Sequence, residues 1–264
     1  MVIITAILAT IFVTQDVGQN WILSNGQDAI LPNDNTFLTS IDEAALIGYW
    51  AFDEGQGSVA VDSAPARNEN DGRLLGGPSW AAGHSGQAIG FQAQEEQYVQ
   101  IANNQETLSL PRGDMTISAW INPSMVDGER AIVAKDKLLS SSRGNYFFAV
   151  ENGHLQFGFQ PLPTGADVWI NTKEPVLELN QWQHVAVTFT FGRGEKPKIY
   201  LDGLPVAVDE WQGSGDQDHL PFTYEDFLYI GRSEANGFYF DGLIDEVRIY
   251  NQVLASEEIE ALAR

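Results

Sequence analysis

Cysteine is absent from this 264-residue chain. That excludes a disulfide framework, a thiolate metal site and a cysteine nucleophile. Basic residues are scarce: 14 Lys and Arg stand against 36 Asp and Glu, and the formal net charge is −22. No Lys or Arg precedes Arg67. A chain so acidic repels nucleic acid and anionic lipid, so neither is a main partner. It attracts cations and repels itself unless clustered carboxylates are neutralised. No internal repeat or low-complexity tract occurs. There is no Gly-x-Ser-x-Gly elbow and no phosphate-cradling Gly-Lys loop.

Apolar residues make up 44 % of the chain, with 7 Trp, 8 Tyr and 14 Phe. The length suits one large β domain with an extension. The most apolar window is Met1 to Thr14 (MVIITAILATIFVT). It is shorter than the ~20 residues a membrane-spanning helix needs. It also lacks the basic start and clear cleavage site of a secretory signal. As a strand it would be apolar on both faces and need cover on both. As a helix it would be apolar all round and belong in a bundle or a membrane. Both forms are open. The segment reads as an assembly element offering Val2, Ile3, Ile4, Ile7, Leu8, Ile11, Phe12 and Val13 to another copy of the chain; an anchor, or packing on its own domain, are the alternatives. The uncharged start is similar to that of a processed pilin, with Thr5 where bacterial type IV pilins usually carry Glu. Residues 15–41 are polar and turn-rich and read as a linker, with short strands expected at Trp21-Ile22-Leu23 and Phe37-Leu38-Thr39.

From Asp42 to Arg264 the texture is β. In Thr116–Ile121, Ile117, Ala119 and Ile121 share one face, with Thr116, Ser118 and Trp120 on the other. In His184–Phe189, Val185, Val187 and Phe189 share a face. Ile199-Tyr200-Leu201, Asp202-Gly203 and Leu204 form a strong hairpin signal. Further strands are predicted at Leu46–Phe52, Gln97–Ile101, Tyr146–Val150, Leu155–Phe159, Phe227–Ile230 and Glu246–Tyr250. Many short strands without intervening helices mean an all-β sandwich or barrel. One short helix is expected at Ser256–Ala263, capped by Ser256 with Glu257 and Glu258 at its positive end.

Several motifs occur in a telling order: Gly48-Tyr49-Trp50-Ala51-Phe52-Asp53-Glu54-Gly55, Asp62-Ser63 with Asn68-Glu69-Asn70-Asp71-Gly72, Ser118-Ala119-Trp120-Ile121-Asn122-Pro123, Trp182-Gln183-His184-Val185-Ala186-Val187, Tyr200-Leu201-Asp202-Gly203, Ile230-Gly231-Arg232, and Phe240 to Tyr250. Together they resemble the laminin-G-like (LamG) domain of the concanavalin-A-like lectin/glucanase superfamily. The resemblance implies a two-sheet antiparallel jelly-roll sandwich whose chain ends meet on one sheet. It also implies an extracellular or cell-surface binding or adhesion module, and a structural calcium ion.

Calcium takes six to eight oxygen ligands. Asp62, Asn68, Asn70 and Asp71 offer them in one loop, Asp53 lies just upstream, and the resemblance brings the strand of Asp245 beside the first strand. Ordinary turn chemistry of Asn and Asp is the competing account. The four histidines lack metal spacing, so zinc is not expected. Glycoside hydrolysis needs paired carboxylates across a cleft. The Glu-x-Asp-x-x-Glu run of the glucanase relatives is missing, so no catalytic residue is assigned and no enzyme is expected. Trp211 and Tyr239 are candidate sugar-stacking residues. The overall expectation is an extracellular structural or adhesive protein, a homopolymeric filament subunit joined through its apolar N-terminus. The alternative is a monomeric or membrane-tethered module that binds glycans or surface proteins.

Overall fold

The computed structural model describes residues 14–15, 21–22, 41–65, 70–102, 107–110, 113–135, 145–163, 166–221, 227–233 and 237–264. The chain divides into two compact units, Met1–Leu38 and Thr39–Arg264. In the first, the described strands are β1 (Thr14–Gln15) and β2 (Trp21–Ile22), which pair antiparallel. The expected assembly residues from Val2 to Val13, and the expected strand at Phe37-Leu38-Thr39, lie outside the described residues.

The second unit is built from short antiparallel strands. In chain order they are β3 (Leu46–Trp50), β4 (Val59–Ala60), β5 (Gly72–Leu75), β6 (Ser79–Ala82), β7 (Gln87–Phe91), β8 (Tyr98–Ile101), β9 (Asp114–Pro123), β10 (Glu129–Lys135), β11 (Tyr146–Glu151), β12 (His154–Phe159), β13 (Val168–Asn171), β14 (Gln183–Thr190), β15 (Lys198–Leu201), β16 (Leu204–Val206), β17 (Gln212–Gly213), β18 (Leu228–Ile230), β19 (Arg232–Ser233), β20 (Phe238–Tyr239) and β21 (Gly242–Tyr250). One sheet runs β17-β13-β12-β11-β10-β18-β8-β5-β4; the other runs β16-β15-β14-β9-β21-β7-β6, with β3 also on β21. Strands β19 and β20 pair separately. Val247 faces Trp50 and Ile249 faces Gly48, so the first and last strands of the sandwich are neighbours.

The hydrophobic effect places the core between the two sheets. Ile117, Ala119, Ile121, Val185, Val187, Phe189, Ile244, Val247 and Ile249 point inward from β9, β14 and β21. They meet Val133, Phe148, Val150, Phe157 and Phe159 of the opposite sheet. The rings of Phe157, Phe159, Phe189 and Phe191 form a mutually tilted and edge-on set, the arrangement aromatic quadrupoles favour.

A helix, α1 (Ser256–Leu262), lies on the outer face of the second sheet. Its Ile259 closes a second cluster with Ala186, Tyr200, Tyr250 and Leu254. The expected cap is displaced by one residue. Ala255, not Ser256, is the N-cap, and the Glu258 carboxylate accepts the Ala255 N–H at 2.7 Å. Ser256 is the first helical residue, with its hydroxyl 3.3 Å from that of Tyr200. The β3 strand stops at Trp50, short of the expected Phe52, whose φ of +55° breaks the extended run. Among the described residues, no helix is long and apolar enough to cross a membrane.

Candidate functional site

Strand alternation gives β9, β14 and β21 a second, outward set of side chains. His184, Trp120 and Asp245 stand side by side across the three strands, and Ala186, Ser118 and Arg248 form the next row. A β-bulge interrupts β21 here: Glu246 and Val247 together oppose Ala119. The extra residue lets Val247 point into the core while Asp245 and Arg248 both face outward. Glu246 takes the left-handed conformation, φ +53°, a state disfavoured for non-glycine residues that the bulge imposes here.

Around the bulge is a polar and aromatic cluster. The Tyr49 hydroxyl donates to both Glu246 carboxylate oxygens at 3.1 Å. The Arg248 guanidinium bonds the same carboxylate and lies 4.2 Å over the Tyr49 ring. Burial, with the Glu246 charge adding to it and Arg248 opposing it, pushes the Tyr49 phenol up to about 12. The exposed His84 ring stacks on Trp120, centroids 3.4 Å apart and planes 9° from parallel. His184 meets Trp120 edge-on at 5.5 Å. The pocket between the 83–86 turn, the sheet and α1 has a volume of about 410 Å³. Its walls include His84, Trp120, Glu246, Arg248, Ala261 and Leu262.

The turn that carries His84 is held by two of the expected metal ligands. Asp53 Oδ1 accepts the Gln87 N–H at 2.9 Å, and Asp245 Oδ2 accepts the Ser85 N–H at 3.0 Å. A Cβ on Gly86, whose φ is +55°, would sit 1.9 Å from Asp53 Oδ1. A Cβ on Gly83 would sit 2.4 Å from the Gln87 carbonyl oxygen. Only glycine fits either position, which fixes the turn and with it the imidazole.

Beneath the cluster are buried polar groups with no hydrogen-bond partner: Ser118 Oγ, both His184 ring nitrogens and Asp245 Oδ1. Burial, reinforced by Arg248 and His84, holds the His184 imidazole down to about 3, so the ring is neutral. Burial pushes the Asp245 carboxyl up to about 6 against the opposing Ser85 N–H. Asp245 is fully shielded from solvent.

The other expected metal ligands gather elsewhere. Asp62 Oδ1 accepts the N–H groups of Tyr49 and Ala64, both at 3.0 Å. Asp71 Oδ1 accepts the Asp62 N–H at 2.9 Å. The Asn70 amide donates to the Ile47 carbonyl at 3.2 Å. Asn68 lies outside the described residues. The set therefore divides between the His84 turn and the edge of β3, and each carboxylate gives one oxygen to turn chemistry. Among the described residues, no three His, Asp or Glu side chains are grouped to hold a metal. Two oxygens of the β3 group, Asp62 Oδ2 and Asn70 Oδ1, are buried without partners, and such oxygen donors suit a hard cation.

Trp211, expected as a sugar-stacking residue, is half-buried and packs against the core, edge-on to Phe159 at 5.9 Å and Phe189 at 5.7 Å. Tyr239 is half-buried at the other sheet. There the Arg232 guanidinium lies 4.5 Å from the Tyr98 ring centroid and 5.4 Å from those of Tyr229 and Tyr239. The sequence does not pair His84 with Trp120, because the stack depends on Gly83-His84-Ser85-Gly86 forming a hairpin turn over another strand. The bulge did leave a signal. Apolar residues at 244, 247 and 249 depart from strict alternation by one residue.

The sandwich has relatives among solved structures. It is similar to the binding domain of Paraclostridial Mosquitocidal Protein 1 (15 % identity, TM-score 0.62, covering 84 % of this chain and 52 % of that one). It also resembles domain 4 of AbnA, a GH43 extracellular arabinanase from Geobacillus stearothermophilus, solved with arabinotriose (20 % identity, TM-score 0.58, covering 83 % and 98 %). The binding domain of botulinum neurotoxin DC, solved with rat synaptotagmin II and with SialylT, is a third (14 % identity, TM-score 0.60, covering 84 % and 51 %). The chain thus spans about half the length of the toxin binding domains it matches. At these identities the likeness establishes the fold. The model of the laminin-G group in the concanavalin A-like lectin/glucanases superfamily matches residues 93–260, well over half of the sequence, and the chain belongs to that family.

Proposed function

We propose that this protein is a non-catalytic recognition module that binds a glycan on the outer face of the β9-β14-β21 sheet. The observation that carries the reading is the pocket at the bulge, where the His84–Trp120 stack stands beside the Glu246–Arg248 pair. Aromatic faces pack against the C–H face of a sugar ring, and a few placed polar groups fix its hydroxyls. The arabinotriose complex of the AbnA domain, similar over nearly its whole length, supports a glycan as the ligand class. The sealed Asp245 supports recognition over hydrolysis, since glycoside cleavage needs two carboxylates reaching the bond. Retention on immobilised polysaccharides and a glycan array test the reading. The expected result is selective retention. Failure to retain any glycan overturns it.

A second reading concerns assembly. We propose that residues 1–14 join copies of the chain into an extracellular filament that displays the sandwich. The apolar character of that window, against a charge of −22 for the whole, supports a sheltered role; family membership supports the extracellular placement. Electron microscopy of the full chain and of a variant lacking residues 2–14 tests this. Filaments formed equally by both would rule it out. Calcium is proposed at the edge of β3, with Asp62 Oδ2 and Asn70 Oδ1 as the available oxygens. An ion at 100 times its Kd would stabilise the fold by about 2.7 kcal/mol. A melting temperature equal in calcium and in chelator would argue against it.

A further inference from the structure

We infer that the pocket at the β21 bulge selects an uncharged pyranose bearing adjacent hydroxyls and rejects acidic sugars; this rests on the glycan-binding reading above. The charges that line the pocket are already balanced. The Arg248 guanidinium is bonded to Glu246 and stacked on Tyr49. At the rim, Arg264 is bonded to Glu260 at 2.7 Å. A uronic or sialic carboxylate accepting from either guanidinium would lie beside Glu246 or Glu260 and be repelled by it. It would also approach against the field of a chain carrying −22. A neutral sugar meets no such repulsion. One hydroxyl donates to a Glu246 oxygen while its neighbour accepts from Arg248, and the ion pair stays intact.

The rest of the pocket suits the same ligand. The His84 ring, stacked on Trp120 at 3.4 Å and met edge-on by Trp182 at 6.4 Å, gives the pocket an aromatic wall for a sugar's C–H face. Ala261 and Leu262 of α1 supply apolar contact in the same pocket. A volume of about 410 Å³ lies at the lower end of the ~300–1,000 Å³ range of small-ligand pockets. That favours a short sugar segment over a long chain. The bulge is what makes the arrangement, because without the extra residue Arg248 would point into the core.

The test uses the full chain in three forms: wild type, His84→Ala and Arg248→Met. Leu204→Ala, an exposed position on the β15–β16 hairpin, is the control. Each is titrated calorimetrically with neutral oligosaccharides and with matched glucuronidated and sialylated ones, at low and high salt. The expected result is binding of neutral sugars alone, unchanged by salt as an uncharged ligand requires. His84→Ala should weaken it at least tenfold, and Leu204→Ala should leave it intact. His84 is exposed on a turn, so its replacement tests the pocket even where Arg248→Met fails to fold. Binding confined to acidic sugars overturns the inference and leaves the glycan-binding reading standing; neutral binding untouched by His84→Ala overturns both, because the glycan then binds elsewhere. Absence of all glycan binding by the wild type removes the glycan-binding reading itself.

Discussion

The inner and outer faces of strands β9, β14 and β21 are made by alternate residues of the same segments, yet they obey different rules. Inward, Ile117, Ala119, Ile121, Val185 and Val187 are apolar and fully buried. Outward, Ser118, His184 and Asp245 are just as shielded from solvent, but Ser118 Oγ, the His184 nitrogens and Asp245 Oδ1 lack hydrogen-bond partners. A buried polar group left unpaired costs about 1–3 kcal/mol. The inner face thus stabilises the sandwich, while the outer face gives back part of that stability. It does so beside a pocket with a strained glutamate and a stacked aromatic pair. That pattern supports the recognition role proposed for this surface.

Substitutions on each face sharpen the contrast. On the core side, Phe157→Ala empties a ring-sized space among Phe159, Phe189 and Phe191. It should destabilise the fold by about 3–5 kcal/mol in urea titration. A loss below ~1 kcal/mol would show that the inter-sheet packing is not close.

On the outer side, His184 makes stability depend on acid. Its folded-state pKa, about 3, lies below the ordinary ~6.5 of the unfolded chain. Its stabilising contribution is therefore complete above ~6.5 and is lost as the pH falls toward 3. Between pH 6.5 and 4 the wild type should lose about 3 kcal/mol more than His184→Leu, read from urea midpoints at both pH values. Equal losses would mean that His184 is hydrated and free to protonate.

The turn between the faces is tested by Gly86→Ala. The left-handed φ and the clash with Asp53 Oδ1 should destabilise by about 1–2 kcal/mol. The imidazole should also shift off Trp120, visible as increased tryptophan fluorescence when quenching by His84 is relieved. Smallest is Glu258→Ala. It removes the bond to the Ala255 N–H and should cost about 0.5–1 kcal/mol, too little to disturb the pocket unless α1 unwinds.

Most of the sandwich was legible because strand alternation is a local property. Thr116–Ile121, His184–Phe189 and the Asp202-Gly203 hairpin fall where the pattern and the turn residues put them. The family motifs then gave the sheets and the meeting of first and last strands. The pocket was not legible. His84 and Trp120 lie far apart in the chain, and the Ser118–Pro123 motif that holds Trp120 carries no link to His84. Their stacking depends on a hairpin turn pinned by Asp53, from the turn after β3, and by Asp245 of β21.

The sequence by itself determined an acidic, cysteine-free, two-layer β-sandwich, because periodic burial of apolar side chains is written residue by residue. Only the tertiary structure decided that Asp53 and Asp245 brace a turn, that Trp211 packs half-buried against the core, and that one extra residue in β21 turns Arg248 outward. Those outcomes depend on which strands become neighbours, and sheet pairing is settled by packing across the whole domain.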